Sequence, residues 1–332
     1  MKKIYSFLVA AVLSITTAQA QQAVAVLTHD GTSKTFNGFH ALQEAYAEAA
    51  SGDLITLSSG TFGAVTTIEK AVKIRGAGME VDTIYNTLPT IIDGNMTLAI
   101  QNEMTSFQLE GIFHANTIYY KFVQYKPQFT KCRLTNIFIA SHTEQGTTYS
   151  GRVIDANFFH CKIMNRVNLS EESSMTFVNC FVGTPHTYND STSVFTFYNC
   201  VLEHLGNTSG DLSIHGSTLY NTILCSNSIG YNYKTSFINC LLYQLRPDES
   251  RNTYKVFNTR AEVFKTYTDT YKLSDKENFE TYPEYSTYGI YSGSFPYSPR
   301  VSGPHIQLME VAPRSSDTGT LNVRIKVQNT TN

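Results

Sequence analysis

The sequence predicts an all-β solenoid, a stack of short parallel coils with one helix at its start, and three observations carry that prediction. First, a phrase of an aromatic residue, two positions and a cysteine recurs as Phe129-Thr-Lys-Cys132, Phe158-Phe-His-Cys161, Phe177-Val-Asn-Cys180, Phe197-Tyr-Asn-Cys200 and Phe237-Ile-Asn-Cys240. Leu219-Tyr-Asn-Thr222 keeps the phrase with Thr in the cysteine slot, and successive slots lie 29, 19, 20, 22 and 18 residues apart. A period near this length marks units that cannot bury their apolar faces alone and so stack. Second, charged residues are only 16% of the chain, Trp is absent, and there are 21 Tyr and 20 Phe. Third, the apolar runs are short, as expected of strands buried on both faces in a parallel stack.

The elements follow in order. Lys2 and Lys3, an apolar run from Ile4 to Ile15 and Ala18-Gln19-Ala20 read as a secretory signal peptide over residues 1–20. The expectation is an exported chain with no membrane span, because no later segment is apolar for long enough. Ala23–Leu27 reads as a strand. Phe39, Leu42, Ala45, Tyr46 and Ala49 share one face of a helix, with Gln43, Glu44 and Glu48 on another. Such a helix would cover the open end of the stack, whose backbone is otherwise free to pair with another chain. Short strands with turns follow at Leu54–Leu57, Ser59-Gly60-Thr61-Phe62, Ala71–Gly78 and Ile91-Ile92-Asp93-Gly94.

This ordered set of helix, S-G-D-x-I-x-L, S-G-T-F, V-x-I-x-G-A-G and I-I-D-G resembles the opening coils of the pectin-lyase-like superfamily, from residue 36 to 94. The cysteine phrase extends the likeness to Leu242. The resemblance implies a single-stranded right-handed parallel β-helix with an N-terminal capping helix, over residues 21–250 of an exported protein from a glycan-degrading Gram-negative bacterium.

Within each coil the slot positions have separate roles. Cys132, Cys161, Cys180, Cys200 and Cys240 should stack as free thiols, since parallel side-chain vectors one strand apart suit a disulfide dihedral poorly. Cys225 falls outside the phrase and is expected to fill a core gap. Asn179, Asn199, Asn221 and Asn239 stand one residue before the slot, where Asn tolerates a left-handed bend and can bond along the axis. One residue after the slot, Arg133 and Lys162 give way to Phe181, Val201, Ile223 and Leu241. Two residues after it, Leu134, Ile163, Val182, Leu202, Leu224 and Leu242 share the slot's inward face, so this apolar stripe points outward.

A monomer seldom leaves such a stripe bare. The expected cover is the chain's own tail, residues 251–332, whose Tyr-rich part lies between Val256 and Tyr297. There Thr287–Tyr297 resembles the G-I-Y-G-G-x-x-P-Y closing segment of exported β-helix proteins, with Ser292 where Gly is usual. The runs Ile306–Val311 and Leu321–Val327 read as two terminal strands forming a hairpin, within residues 306–327.

The chemistry is less legible. The family's hydrolases need clustered aspartates, its esterases motifs that include Trp, and its lyases acidic Ca²⁺ ligands with a basic residue. Here there is no Asp-Asp pair, Ile214-His215-Gly216 is a lone near miss, and the acids of the coils are scattered. No histidine pair has metal-ligand spacing, and no cofactor or metal is expected. Nothing in a formal net charge of −2 draws nucleic acid.

One local feature stands out: Lys131 and Arg133 flank Cys132, His160 and Lys162 flank Cys161, and Arg166 follows. If these phrases stack, like charges align and invite a counter-anion. The bland alternative is a solvated face neutralised by Glu171 or Glu172. With the tail placed over the later coils, the basic coils are expected to stay uncovered. Three functional readings remain open: a non-catalytic protein contacting an anionic polysaccharide, a diverged polysaccharide lyase, and a structural or adhesive envelope protein.

Overall fold

The computed structural model describes residues 23–83, 87–101, 106–139, 141–144, 147–170, 172–187, 192–203, 212–226, 229–230, 234–247, 252–266, 278–301, 303–311 and 323–330. The proposed signal peptide, Met1–Ala20, lies outside them. The chain is all-β, dominated by one 24-stranded, mostly parallel sheet. Among the described residues, no helix is long and apolar enough to cross a membrane.

The sheet is solenoid-like because each coil contributes to three parallel ladders. The first runs through Leu54–Leu57, Lys73–Arg75, Gln108–Glu110, Gln128–Thr130, Ala156–Phe159, Ser174–Val178, Val194–Tyr198, Thr218–Tyr220 and Ser236–Tyr243. The second begins at Gly60–Gly63 and Thr90–Asp93 and continues through the opening residues of Phe113–Tyr120, Arg133–Ile139, Lys162–Leu169 and Phe181–Thr187. Val201–Leu202, Ile223–Leu224, the closing residues of Ser236–Tyr243 and then Thr253–Phe257 carry it on. Those same long strands bend and enter a third ladder, with register shifts at His114/Thr117, Leu134/Asn136 and Ile163/Arg166.

The recurring phrase explains why the coils stack. Phe129, Phe158, Phe177 and Phe197 are fully buried, with successive ring centroids 4.7, 4.6 and 5.1 Å apart and planes within 16° of parallel. All six cysteines are free and buried. The slot thiols donate backwards by one coil, Cys161 Sγ to Phe129 O, Cys180 Sγ to Phe158 O and Cys200 Sγ to Phe177 O, each at 3.4 Å. Thr222 fits the same slot because its Oγ1 accepts from the Cys200 backbone at 3.2 Å, as Cys180 Sγ accepts from Cys161 N at 3.3 Å.

Burial lifts the Cys132 and Cys161 thiols well above their ordinary range, Cys200 to about 12 and Cys240 to about 11, far from reactivity. Titration under denaturing, non-reducing conditions is expected to find close to six free thiols, against almost none in the native protein. Two or fewer would mean that the cysteines pair and the stacking register is wrong.

The start of the stack differs in part from the sequence reading. Val24–His29 pairs antiparallel with both Thr32–Asn37 and Leu54–Leu57, so a hairpin occupies the first edge of the first ladder. The helix is shorter than its pattern, Ala41–Glu48, and buries Ala41, Leu42, Ala45 and Tyr46. It packs on this hairpin and on the first coil. Tyr46 Oη accepts from the backbone N–H of Glu69 and Lys70 at 2.7 and 2.9 Å. Phe39, placed on the buried face by spacing, is 46% exposed, because it precedes the first helical turn.

The outward stripe is buried. Phe181, Val201, Ile223 and Leu241 form a second apolar cluster with Phe257, Val263, Phe264, Phe279, Tyr288, Ile290 and Tyr297. Cys225 is buried as expected, but in this outer cluster and not among the slot thiols. Burying each large apolar side chain is worth about 1.5–3 kcal/mol. Later in the tail, Gly303–Val311 and Val323–Thr330 form a separate antiparallel pair.

Candidate functional site

The basic positions singled out in the sequence do not form one open face. The Arg133–Lys162 pairing is present in the ladder register. Lys162, however, is 4% exposed and Lys131 5%, so the expectation that the basic coils stay uncovered is corrected. Lys162 Nζ lies 2.5 Å from Glu80 Oε1 and sits over the rings of Phe279 and Tyr297. Glu80 is 82 residues away in sequence, and only folding brings it here. Arg133 packs its guanidinium over the Phe113 ring. Glu172, considered as a neutralising acid for these coils, pairs instead with Arg152. Glu171 lies outside the described residues.

Lys131 and His160 prove to be turn residues. Their φ angles of 51° and 53° match the 50°, 52°, 48° and 51° of Asn179, Asn199, Asn221 and Asn239. The left-handed bend is therefore a property of the slot, and Asn is the residue that tolerates it best. Burial lowers the Lys131 ammonium, opposed by Glu110. Burial and then Lys131 lower the His160 imidazole.

The tail threads along this row of bends. Asn239 Nδ2 donates to Asn221 Oδ1 at 2.8 Å, and Asn221 Nδ2 to Asn199 Oδ1 at 3.1 Å. Asn179 turns away from its neighbours, donating to the Ile290 and Ser292 carbonyls at 2.8 Å each. Tyr288 Oη meets Asn239 Oδ1 at 3.2 Å, and the Ser298 N–H donates to His160 Nδ1 at 3.3 Å. At Gly293, with φ of +82°, a Cβ would lie 2.6 Å from Asn199 Nδ2, so the closing segment needs glycine to run this close. Ser292 beside it donates from Oγ to Gly289 O at 2.7 Å.

Arg166 alone of the basic set stands on the third ladder. In register across the coils, one outer column holds Thr117, Asn136, Arg166 and Thr184; the next holds Tyr119, Phe138, then Asn168 and His186, then Ser213. Ile118, Ile137 and Val167 point inward between them and are fully buried. Asn136 Nδ2 donates to Thr117 Oγ1 at 3.4 Å, and the Tyr119 and Phe138 rings meet edge to face at 6.3 Å. Asn136 Oδ1 and Arg166 Nε are shielded from solvent yet have no hydrogen-bond partner among the described residues. Burial, then Arg166, then His215 lower the pKa of His186, which favours the neutral imidazole at neutral pH.

A half-buried guanidinium flanked by an amide, hydroxyls, a neutral imidazole and two aromatic rings can bind an anionic, hydroxyl-bearing ligand. Among the described residues no three His, Cys, Asp or Glu are grouped to hold a metal ion. The sequence reading missed Asn136, His186, Tyr119 and Phe138. The available signal lay four to seven residues past each slot, but the register shifts put Arg166 five past its slot and Asn136 and Thr184 only four. No family model, no curated protein and no solved structure matches this chain.

Proposed function

We propose that this chain is an exported, non-catalytic carbohydrate-interacting protein whose third ladder contacts an acidic polysaccharide lying along the stack. In this reading the coils are those of a right-handed parallel β-helix of the pectin-lyase-like kind, capped at its start by the Ala41–Glu48 helix. The observation that carries it is Arg166: a cation with no hydrogen bond or ion pair among the described residues, set in a column of polar side chains. A sugar carboxylate accepting from the Arg166 guanidinium and a sugar hydroxyl donating to Asn136 Oδ1 would satisfy both side chains.

Affinity electrophoresis through uronate polymers tests it. The wild-type protein is expected to be retarded, and Arg166→Ala to bind roughly tenfold or more weakly, since a hydrogen bond to a charged group is worth about 1.5–3 kcal/mol. No retardation on any uronate polymer, or unchanged retardation of Arg166→Ala, would refute the reading. A second reading, a diverged lyase, rests on His186, whose neutral imidazole beside Arg166 has the character of a general base. Appearance of the ultraviolet absorbance of an unsaturated uronate during incubation would favour it over simple binding.

A further inference from the structure

The outer side of the first ladder carries two columns without a charged residue. In register on consecutive coils stand Phe159, Val178, Tyr198, Tyr220 and Ile238. Beside them run Asn157, Thr176, Thr196, Thr218 and Ser236. Phe159, Tyr198 and Ile238 are 38%, 39% and 38% exposed, an unusual alignment of large apolar side chains. With strands about 4.8 Å apart, five rungs make a stripe roughly 20 Å long. Charge returns only toward the first coils, at Glu110, Arg75 and Lys73.

The ring geometry narrows what can cover this stripe. Tyr198 and Tyr220 stack on one another with centroids 4.8 Å apart and planes 7° from parallel. Their faces are used against each other, so outward they offer edges and hydroxyls. A sugar seeking an aromatic face to stack on finds little here. A flat, uncharged sheet surface instead suits a second sheet, packed at about 10 Å.

The order of the side chains is also self-complementary. A two-fold axis lying in the interface, across the strand stack and through Tyr198, sets Val178 of one copy opposite Tyr220 of the other, and Phe159 opposite Ile238. In the polar column Thr196 meets itself, Thr176 meets Thr218, and Asn157 meets Ser236. Apolar faces apolar, polar faces polar, and no like charges oppose one another.

We propose that this face joins two copies of the chain in an antiparallel two-fold dimer centred on Tyr198 and Thr196. The stripe is smaller than the roughly 800 Å² per partner of a standard interface, so the dimer is weak and concentration-dependent. The third ladder stays open in it, and dimerisation stands apart from glycan binding.

Sedimentation velocity over a concentration series is expected to show a monomer–dimer equilibrium. Tyr198→Lys, which places two ammonium groups on the axis, is expected to weaken it at least tenfold while leaving the circular dichroism spectrum and urea midpoint unchanged. Thr196→Cys gives an independent reading: all six native cysteines are buried, so the new thiol is the accessible one. Mild oxidation is expected to yield a disulfide-linked dimer. A monomer at every concentration, a Tyr198→Lys protein that dimerises like wild type, or no cross-link through position 196 would each overturn the proposal.

Discussion

Replacing Phe279 with alanine is expected to destabilise the protein by about 3–5 kcal/mol, the range for truncating a fully buried aromatic side chain. Phe279 is 1% exposed and its ring stacks on Phe181 at 4.6 Å, joining tail to coil at the centre of the outer cluster. The Lys162 ammonium lies 5.7 Å from the same ring, so the substitution would also let water reach the Lys162–Glu80 pair. Against a typical total of about 5–15 kcal/mol, such a loss is large. Hydrophobic contact is the term that decides here, because a buried ion pair spends most of its Coulombic gain on desolvation.

The urea midpoint of Phe279→Ala should therefore fall well below that of wild type. Limited proteolysis should begin within residues 278–301, as the segment lifts from the row of bends. A midpoint within experimental error of wild type would show that the tail is not held through Phe279. Protection of the segment in a destabilised variant would show that its hydrogen bonds to Asn179 suffice.

The second large effect is an acid sensitivity set by one core residue. His114 is fully buried on an inner face, between Ile92 and Leu134 of the adjoining coils. Burial lowers its pKa from 6.5 to about 4, opposed only in part by the backbone at Asn116 and the Asp93 carboxylate. The unfolded chain takes up a proton near pH 6.5 that the folded chain refuses until about pH 4. The contribution is thus fully present above pH 6.5, shrinks as pH falls, and is lost at about pH 4. A shift of this size corresponds to about 3 kcal/mol.

The lowered pKa values of His160 and His186 act in the same direction, and the raised value of His29 in the opposite one. The clean measurement is therefore a difference. The unfolding free energy of His114→Leu relative to wild type should rise by about 3 kcal/mol between pH 7 and pH 4. If that difference stays flat across the window, His114 is not the group that titrates.

Repetition decides what can be read from this chain. The aromatic, Asn and Cys positions recur at nearly fixed spacing, and a stacked coil places equal positions in equal surroundings. One phrase therefore reports the interior of the whole stack: the Phe column, the slot thiols and the inward residues two places on. The outward stripe from Phe181 to Leu241 was legible by the same alternation of strand faces.

The candidate site was not legible in this way. Lys131, Arg133, His160 and Lys162 were grouped by proximity to the slot. Proximity could not show that Lys131 and His160 occupy left-handed bends, or that Glu80, from a distant coil, and the Phe279 and Tyr297 rings of the tail meet at Lys162. Arg166 belonged to the same group by sequence, yet a one-residue register shift carries it round the bend to another ladder. The sequence by itself determined the repeat, the all-β class and the composition of the core, because these depend on local spacing and on which side chains leave water. Which outer face is covered, which cation has no partner among the described residues and which stripe stays half-exposed were decided only by the tertiary structure, because each depends on contacts between residues far apart in the chain.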